Sequence, residues 1–233
     1  MAKVVLITGG SRGIGAACAV IAAREGWSVG VNYAASAEAA GTVVAEIRQQ
    51  GGQAVALHGD VSNEADVQAM FTACEDALGP VNGLVNNAGI LDRSCAFTDI
   101  SLERWTRLHA VNAAGSFLVA REAVGRMLAH GGAGAIVNMS SMAAPLGGPN
   151  EFVDYAATKG AVESMTIGLA KEVAARGVRV NAIRPGLIET EMQAASGDPM
   201  RATRLVGGVP MGRVGQASEV AEAAIWLLSD AAS

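Results

Sequence analysis

The sequence predicts an α/β fold: a doubly wound parallel sheet with helices on both faces, in a single domain. Three observations carry this. Short runs rich in Val, Ile and Leu alternate with longer helical patterns from end to end. The runs lack polar alternation, as do strands covered on both faces. Four glycines crowd TGGSRGIG, residues 8–15, between the first apolar run and the first helical pattern.

The strand candidates are Lys3–Thr8, Ser28–Tyr33, Gln53–His58, Gly83–Asn86, Ala135–Ser140 and Arg179–Arg184. Helical patterns cover 14–25, 37–49, 64–78, 102–129 and 154–175, with a last helix near 218–229. Asn63 and Ser101 each precede acidic residues as N-caps. Gly26, Gly51 and Gly177 follow three helices where a left-handed residue is expected. Right-handed crossovers between such strands give a parallel sheet sandwiched by helices. Residues 187–216 break the rhythm with three Met, two Pro and several Gly. An irregular insert of that length reads as a substrate lid, spanning 186–216, with an adaptable apolar wall.

At 233 residues and 51% hydrophobic, the chain is long enough for one sizeable core. A net charge of −5 and 4% aromatics argue against nucleic acid and anionic membranes as partners. Cys18, Cys74 and Cys95 have no CxxC spacing and read as reduced thiols of a cytoplasmic protein. His58, His109 and His130 are scattered, so no metal site is expected. Lys3–Ile7 is too short for the core of a signal peptide, and no apolar stretch reaches membrane-span length.

A strand, then Gly9, Gly13 and Gly15, then a helix, aims helix N-terminal amides at phosphate oxygens. Asn86-Asn87-Ala88-Gly89 adds small and amide residues at a second strand end, on the edge where ligands of open α/β sheets sit. The spacing departs from GxGxxG, so by itself it is a weak signal. Enzymes selecting NAD usually end the second strand on a carboxylate. Here that strand ends Val31-Asn32-Tyr33-Ala34, and no Asp or Glu follows until Glu38. Arg12 instead offers a guanidinium for a 2′-phosphate, which favours NADP(H), with NAD(H) as the alternative.

Tyr155 and Lys159, in DYAATK, lie four apart and so on one helix face. A neighbouring ammonium favours phenolate and makes Tyr155 an acid toward a carbonyl or a base toward an alcohol. Ile136-Val137-Asn138-Met139-Ser140-Ser141 ends a strand on hydroxyls able to bond the same oxygen.

TGGSRGIG, NNAG, the serines at 140–141, YAATK, and Arg184-Pro185-Gly186 with Glu189-Thr190 occur together and in order. On these motifs the whole chain resembles the short-chain dehydrogenases/reductases of single-domain Rossmann type. The resemblance implies that Ser141 orients the carbonyl, Tyr155 transfers the proton, and Lys159 lowers the Tyr155 pKa and binds the nicotinamide ribose. Asn112 would hold a water of the proton relay. The cofactor would be lined by Gly9, Ser11, Arg12, Gly13, Ile14, Gly15, Asn32, Tyr33, Asp60 and Val61. Asn87, Ala88, Gly89, Tyr155, Lys159, Pro185, Gly186, Ile188 and Thr190 would complete it. Ser140 competes with Ser141, because the spacing to the tyrosine is one residue longer than the family's usual thirteen.

The expected function is NADP(H)-dependent interconversion of a carbonyl and a secondary alcohol on a small-molecule substrate. A 3-oxoacyl-[acyl-carrier-protein] reductase, a glucose-type sugar dehydrogenase and a catalytically idle dinucleotide-binding protein are the alternatives. The first needs basic residues to dock an acidic carrier, and Arg121, Arg126 and Arg176 are the available ones. The resemblance also implies a homo-oligomer, dimer or tetramer. The family normally continues into a seventh strand and a glycine-containing tail, whereas this sequence stops at Ser233, so both are expected to be missing.

Overall fold

Six apolar runs become six parallel strands in the computed structural model, which describes residues 3–233. They are β1 (Val4–Ile7), β2 (Ser28–Tyr33), β3 (Ala54–His58), β4 (Gly83–Asn86), β5 (Gly134–Met139) and β6 (Val178–Ile183). Their order is β3-β2-β1-β4-β5-β6. The chain therefore winds outward from β1 to β3, returns to β4 beside β1, and winds the other way. That reversal opens a crevice at the carboxyl ends of β1 and β4.

Alternation along β1 assigns each side chain to a core. Val5 and Ile7 join Ile21, Ile47 and Ile225, from α1 (Gly13–Arg24), α2 (Ala37–Gln49) and a C-terminal helix. Val4 and Leu6 join Phe71, Met127 and Val173 on the other face, with α3 (Glu64–Leu78) among its helices. All four β1 side chains are fully buried, which is why the run carries no polar residue. The caps fall where the sequence put them. Asn63 Oδ1 accepts from the Ala65 and Asp66 amides, and Ser101 Oγ from that of Arg104. Gly26, Gly51 and Gly177 all have positive φ.

The helix expected over 102–129 is three pieces: α4 (Leu102–His109), a π-helical stretch over Ala110–Gly115, and α5 (Ser116–Ala129). Periodicity cannot see this, because the widened turn answers to tertiary contacts. A Cβ on Gly115 would stand 2.9 Å from a Val61 methyl carbon, and the Ser116 hydroxyl donates to the Asn112 carbonyl at 2.8 Å. Such bulges accompany functional sites, and this one turns Asn112 fully inward.

After β5 come α6 (Ala143–Leu146) and α7 (Val153–Val173), the latter ending in a 3₁₀ turn over Ala174–Arg176. The insert expected to be irregular is partly ordered by pairing. β7 (Ile188–Glu189) and β8 (Gly215–Gln216) close its base in parallel, and it carries α8 (Met192–Ala195) and α9 (Arg201–Leu205). The C-terminal helix α10 (Ala217–Leu228) starts on a Gln216–Glu219 capping box. Its last carbonyls are taken by Arg179 of β6, which donates to Leu227, Leu228 and Ser229. Among the described residues, no helix is long and apolar enough to cross a membrane, and no acid, His or Cys cluster could hold a metal.

Candidate active site

The glycine turn and the NNAG stretch are interlocked. Thr8 Oγ1 accepts the amides of Asn87 and Ala88, and Asn87 Nδ2 donates to the carbonyls of Thr8 and Gly9. Asn32 secures the other side: its Oδ1 accepts from the Gly9 amide, and its Nδ2 donates to Leu57 and Gly59. Gly15 is required by this packing, since a Cβ there would lie 2.2 Å from the Gly9 carbonyl oxygen. Gly13, at φ +54°, lies against Thr190. Part of the glycine richness therefore answers to the turn itself.

Above the turn lies a cavity of about 520 Å³. Gly9, Ser11, Arg12, Gly13, Ile14, Asn32, Tyr33, Asp60, Val61, Asn87, Ala88, Gly89 and Thr190 all line it. Ile188 is in the β7–β8 ladder, and the Pro185 carbonyl accepts from the Met142 amide. The lining also includes Ser36, Leu91, Val111 and Glu191, which sequence reasoning missed because no motif contains them. The arrangement fits a dinucleotide. Whereas α3 and α4 are capped by side chains, no side chain caps α1, so its N-terminal dipole faces the cavity floor without a resident partner.

Gly89 of the cavity wall approaches two of the catalytic candidates. A Cβ on Gly89 would be 3.3 Å from Asn112 Oδ1 and 3.6 Å from Lys159 Nζ. Asn112 is saturated by protein: Nδ2 donates to the Ile90 carbonyl and Thr158 Oγ1, and Oδ1 accepts from the Ile90 amide. Lys159 Nζ donates to the Met139 carbonyl at 2.7 Å and lies 5.6 Å from the Tyr155 ring centroid. The Ser141 hydroxyl accepts from the Ala143 amide at 3.1 Å and acts on the Tyr155 phenol, opposing its upward shift. Ser140 points away, donating to Glu163 Oε1 at 2.7 Å, and Glu163 is held in turn by Arg184. A buried amide chain registers α7 on the sheet: Asn86 donates to Asn138, and Asn138 to Thr166.

The electrostatics differ from the sequence expectation. Burial pushes the Tyr155 phenol up, opposed by the Ser141 hydrogen bond and then by the charge of Arg201. The Lys159 ammonium is itself desolvated, its pKa falling from 10.5 to about 8. Between those values the unfolded chain holds the lysine proton and the folded chain does not, so this group makes stability rise with pH there. Below about pH 8 the folded state bears the whole burial cost, about 3 kcal/mol for such a shift. Lys159→Met is therefore expected to melt higher than the parent at pH 7, by about 1–2 kcal/mol once the bare Met139 carbonyl is counted. Circular dichroism melts should show the gap closing between pH 8 and 10.5; a constant gap would contradict the assignment.

One further pair at the site was missed in the sequence. Asp154, fully buried, accepts from Arg104 Nε at 2.6 Å, from Arg104 Nη2 at 3.2 Å, and from the Tyr155 amide at 2.9 Å. Arg104 also donates to the Arg93 carbonyl, tying the loop after β4 to the start of α7. The only signal was an acidic residue before the tyrosine and an arginine fifty positions earlier.

A family model described as enoyl-(acyl carrier protein) reductase, of the short-chain dehydrogenase/reductase group, matches residues 9–233. The chain belongs to the short-chain dehydrogenase/reductase family. It is an oxidoreductase of that family, whose members use NAD(P). It is 53% identical to "Uncharacterized oxidoreductase YgfF" of Escherichia coli K12, over 99% of this chain and 94% of that one. A 3beta-hydroxysteroid dehydrogenase of Eggerthella lenta is 41% identical, over 99% of this chain and 88% of its own. A 3-oxoacyl-[acyl-carrier-protein] reductase of Synechocystis is 39% identical, over 100% and 91%. Among solved structures, a short-chain type dehydrogenase/reductase from Mycobacterium marinum superposes with a TM-score of 0.93 at 33% identity, over 99% of this chain and 89% of that one. The Rossmann-type architecture expected from the motifs is thus shown, with the strand order given above.

Proposed function

We propose that this oxidoreductase interconverts a carbonyl and a secondary alcohol on a small free substrate, using NADP(H), with Tyr155 as acid/base. The observation that carries the reading is the meeting of Ser141, Tyr155 and Lys159, with Lys159 Nζ 5.6 Å from the Tyr155 ring and close to Gly89 of the cavity wall. When bound, the nicotinamide supplies or accepts the hydride. The chain does the rest. Ser141 holds the substrate oxygen, Tyr155 gives or takes its proton, and Lys159 holds the nicotinamide ribose. Asn112, fully buried, anchors Ile90 at the cavity wall. Ser140 is committed to Glu163, which supports Ser141 as the catalytic hydroxyl.

The cofactor assignment rests on Arg12. It lines the cavity beside Tyr33, Ala34, Ala35 and Ser36, a stretch without a carboxylate. Arg12→Ala is expected to weaken NADPH binding by about tenfold or more, the worth of a charged hydrogen bond, and to leave NADH nearly unchanged. Fluorescence titration with both nucleotides checks this, and equal losses would remove the 2′-phosphate argument.

Carrier-protein docking is opposed by the charges on α5. Arg126 is paired with Glu75 and Glu122, and Arg121 with Glu64, so this basic face is neutralised by its own chain. Phe117 on α5 and Ile167 on α7 remain exposed and support assembly into a homo-oligomer, dimer or tetramer. The test is NADPH consumption at 340 nm against free ketones, aldoses and β-ketoacyl thioesters, the last with and without carrier protein. Turnover of free ketones or aldoses is expected; turnover confined to the carrier-bound thioester would overturn the reading.

A further inference from the structure

We propose that Glu163 of α7 is a positioning residue for the acid/base step, holding the strand end that carries Ser141 in register with Tyr155 and Lys159. The inference deepens the roles given to Ser141 and Tyr155 above and rests on them. Its pattern is visible in the chain: Tyr155, Lys159 and Glu163 stand four apart in YAATKGAVE, so α7 presents them along one stripe. The end of β5 meets that stripe residue by residue. The Met139 carbonyl accepts from Lys159 Nζ at 2.7 Å, and the Ser140 hydroxyl donates to Glu163 Oε1 at 2.7 Å. Ser141 is the residue that acts on the Tyr155 phenol. Glu163 therefore grips the buried residue that lies between the two the chemistry uses.

A third element holds Glu163 in place. Arg184, directly after β6, donates to it twice, from Nε to Oε1 at 2.6 Å and from Nη2 to Oε2 at 2.7 Å. Such a fork fixes orientation as well as distance. Two backbone bonds tie the same segments on either side: the Ser140 amide donates to the Ile183 carbonyl at 2.8 Å, and the Met142 amide to the Pro185 carbonyl at 2.9 Å. Ser141 is bracketed by these contacts. Beyond β5 no ladder sets the direction of its hydroxyl, so the clamped neighbour does. Arg184 balances the carboxylate, so the effect is on placement and not on the field at the phenol. With its arginine half exposed, the ion pair contributes little to stability. Neither Ser140, Glu163 nor Arg184 lines the cofactor cavity, so loosening them should cost turnover and spare cofactor binding.

Glu163→Leu is expected to lower kcat for a ketone of the panel by about tenfold, a fraction of what a misplacement of about 1 Å can cost. NADPH affinity, read by fluorescence titration, should stay at the parent's value. Glu163→Gln keeps an oxygen for the Ser140 hydroxyl and should retain most of the parental kcat. The deciding comparison is made in a Ser141→Ala background, where Glu163→Leu should cost nothing further because it acts through that hydroxyl. A residue that only supports the fold would lower kcat by the same factor in both backgrounds. Circular dichroism melts show which variants are folded at the assay temperature. Should Glu163→Leu not be, Ser140→Ala removes the same bond from its other end and is expected to give the same loss. Parental kcat in Glu163→Leu, a full repeat of the loss without Ser141, or a Gln variant no better than Leu would overturn the proposal. A wrong assignment of Ser141 shows separately, as parental kcat in Ser141→Ala alone, and the proposal falls with it.

Discussion

Tyr155→Phe is expected to lower kcat by about 10²–10⁴-fold, the usual contribution of a positioned acid or base, while NADPH affinity stays nearly unchanged. The structure explains why the loss should fall on kcat. The phenol is acted on by Ser141, and neither residue is among those lining the cavity over the glycine turn and Arg12, where the phosphates and adenosine would rest. Phenylalanine keeps the ring and its contact with Lys159 and removes only the oxygen. Ser141 then loses its partner, so Ser141→Ala in the Tyr155→Phe background should cost little more, as expected of groups acting as a unit. Steady-state kinetics with a ketone from the panel, beside NADPH titration of each variant, decides the matter. Wild-type turnover by Tyr155→Phe would sink the mechanism.

Arg104→Met should be the most destabilising of the substitutions considered, by about 3–5 kcal/mol. It leaves the Asp154 carboxylate fully buried, with only the Tyr155 amide to accept from. It also frees the Arg93 carbonyl, and with it the loop that meets the lid. The double variant Arg104→Met/Asp154→Asn should recover much of the loss. Its amide oxygen still accepts from the Tyr155 amide, and no charge is stranded. Urea unfolding of the parent, both single variants and the double measures the coupling. Additive effects would show the two charges to be independent of each other.

The strands were legible because each is apolar on both faces, and only a covered strand tolerates that. The glycine turn, the NNAG stretch and YAATK were legible because their spacing is local: three to five residues fix which groups share a turn. Arg104 and Asp154 were not, being fifty residues apart with no periodicity to relate them. The π-helical stretch was equally hidden, since Val61 presses on Gly115 from a distant part of the chain. Between Ser140 and Ser141 the sequence offered two hydroxyls on one strand end. Folding separates them, because neighbours at that edge meet different turns of α7: Ser140 donates to Glu163 and Ser141 acts on the Tyr155 phenol.

What the sequence determined by itself was the sheet, its glycine-lined edge and the kind of chemistry available there. These depend on local pattern and on residue types that few other purposes require. What only the tertiary structure decided was the electrostatic setting of that chemistry. An ammonium four residues from a phenol promises an acidic phenol in an isolated helix. Once both are buried, desolvation works against both charges, and the first group to oppose it at the phenol is the Ser141 hydroxyl, from a different strand end. Charge–charge energies depend on distance and on the water excluded between the groups, and neither is written in the order of residues.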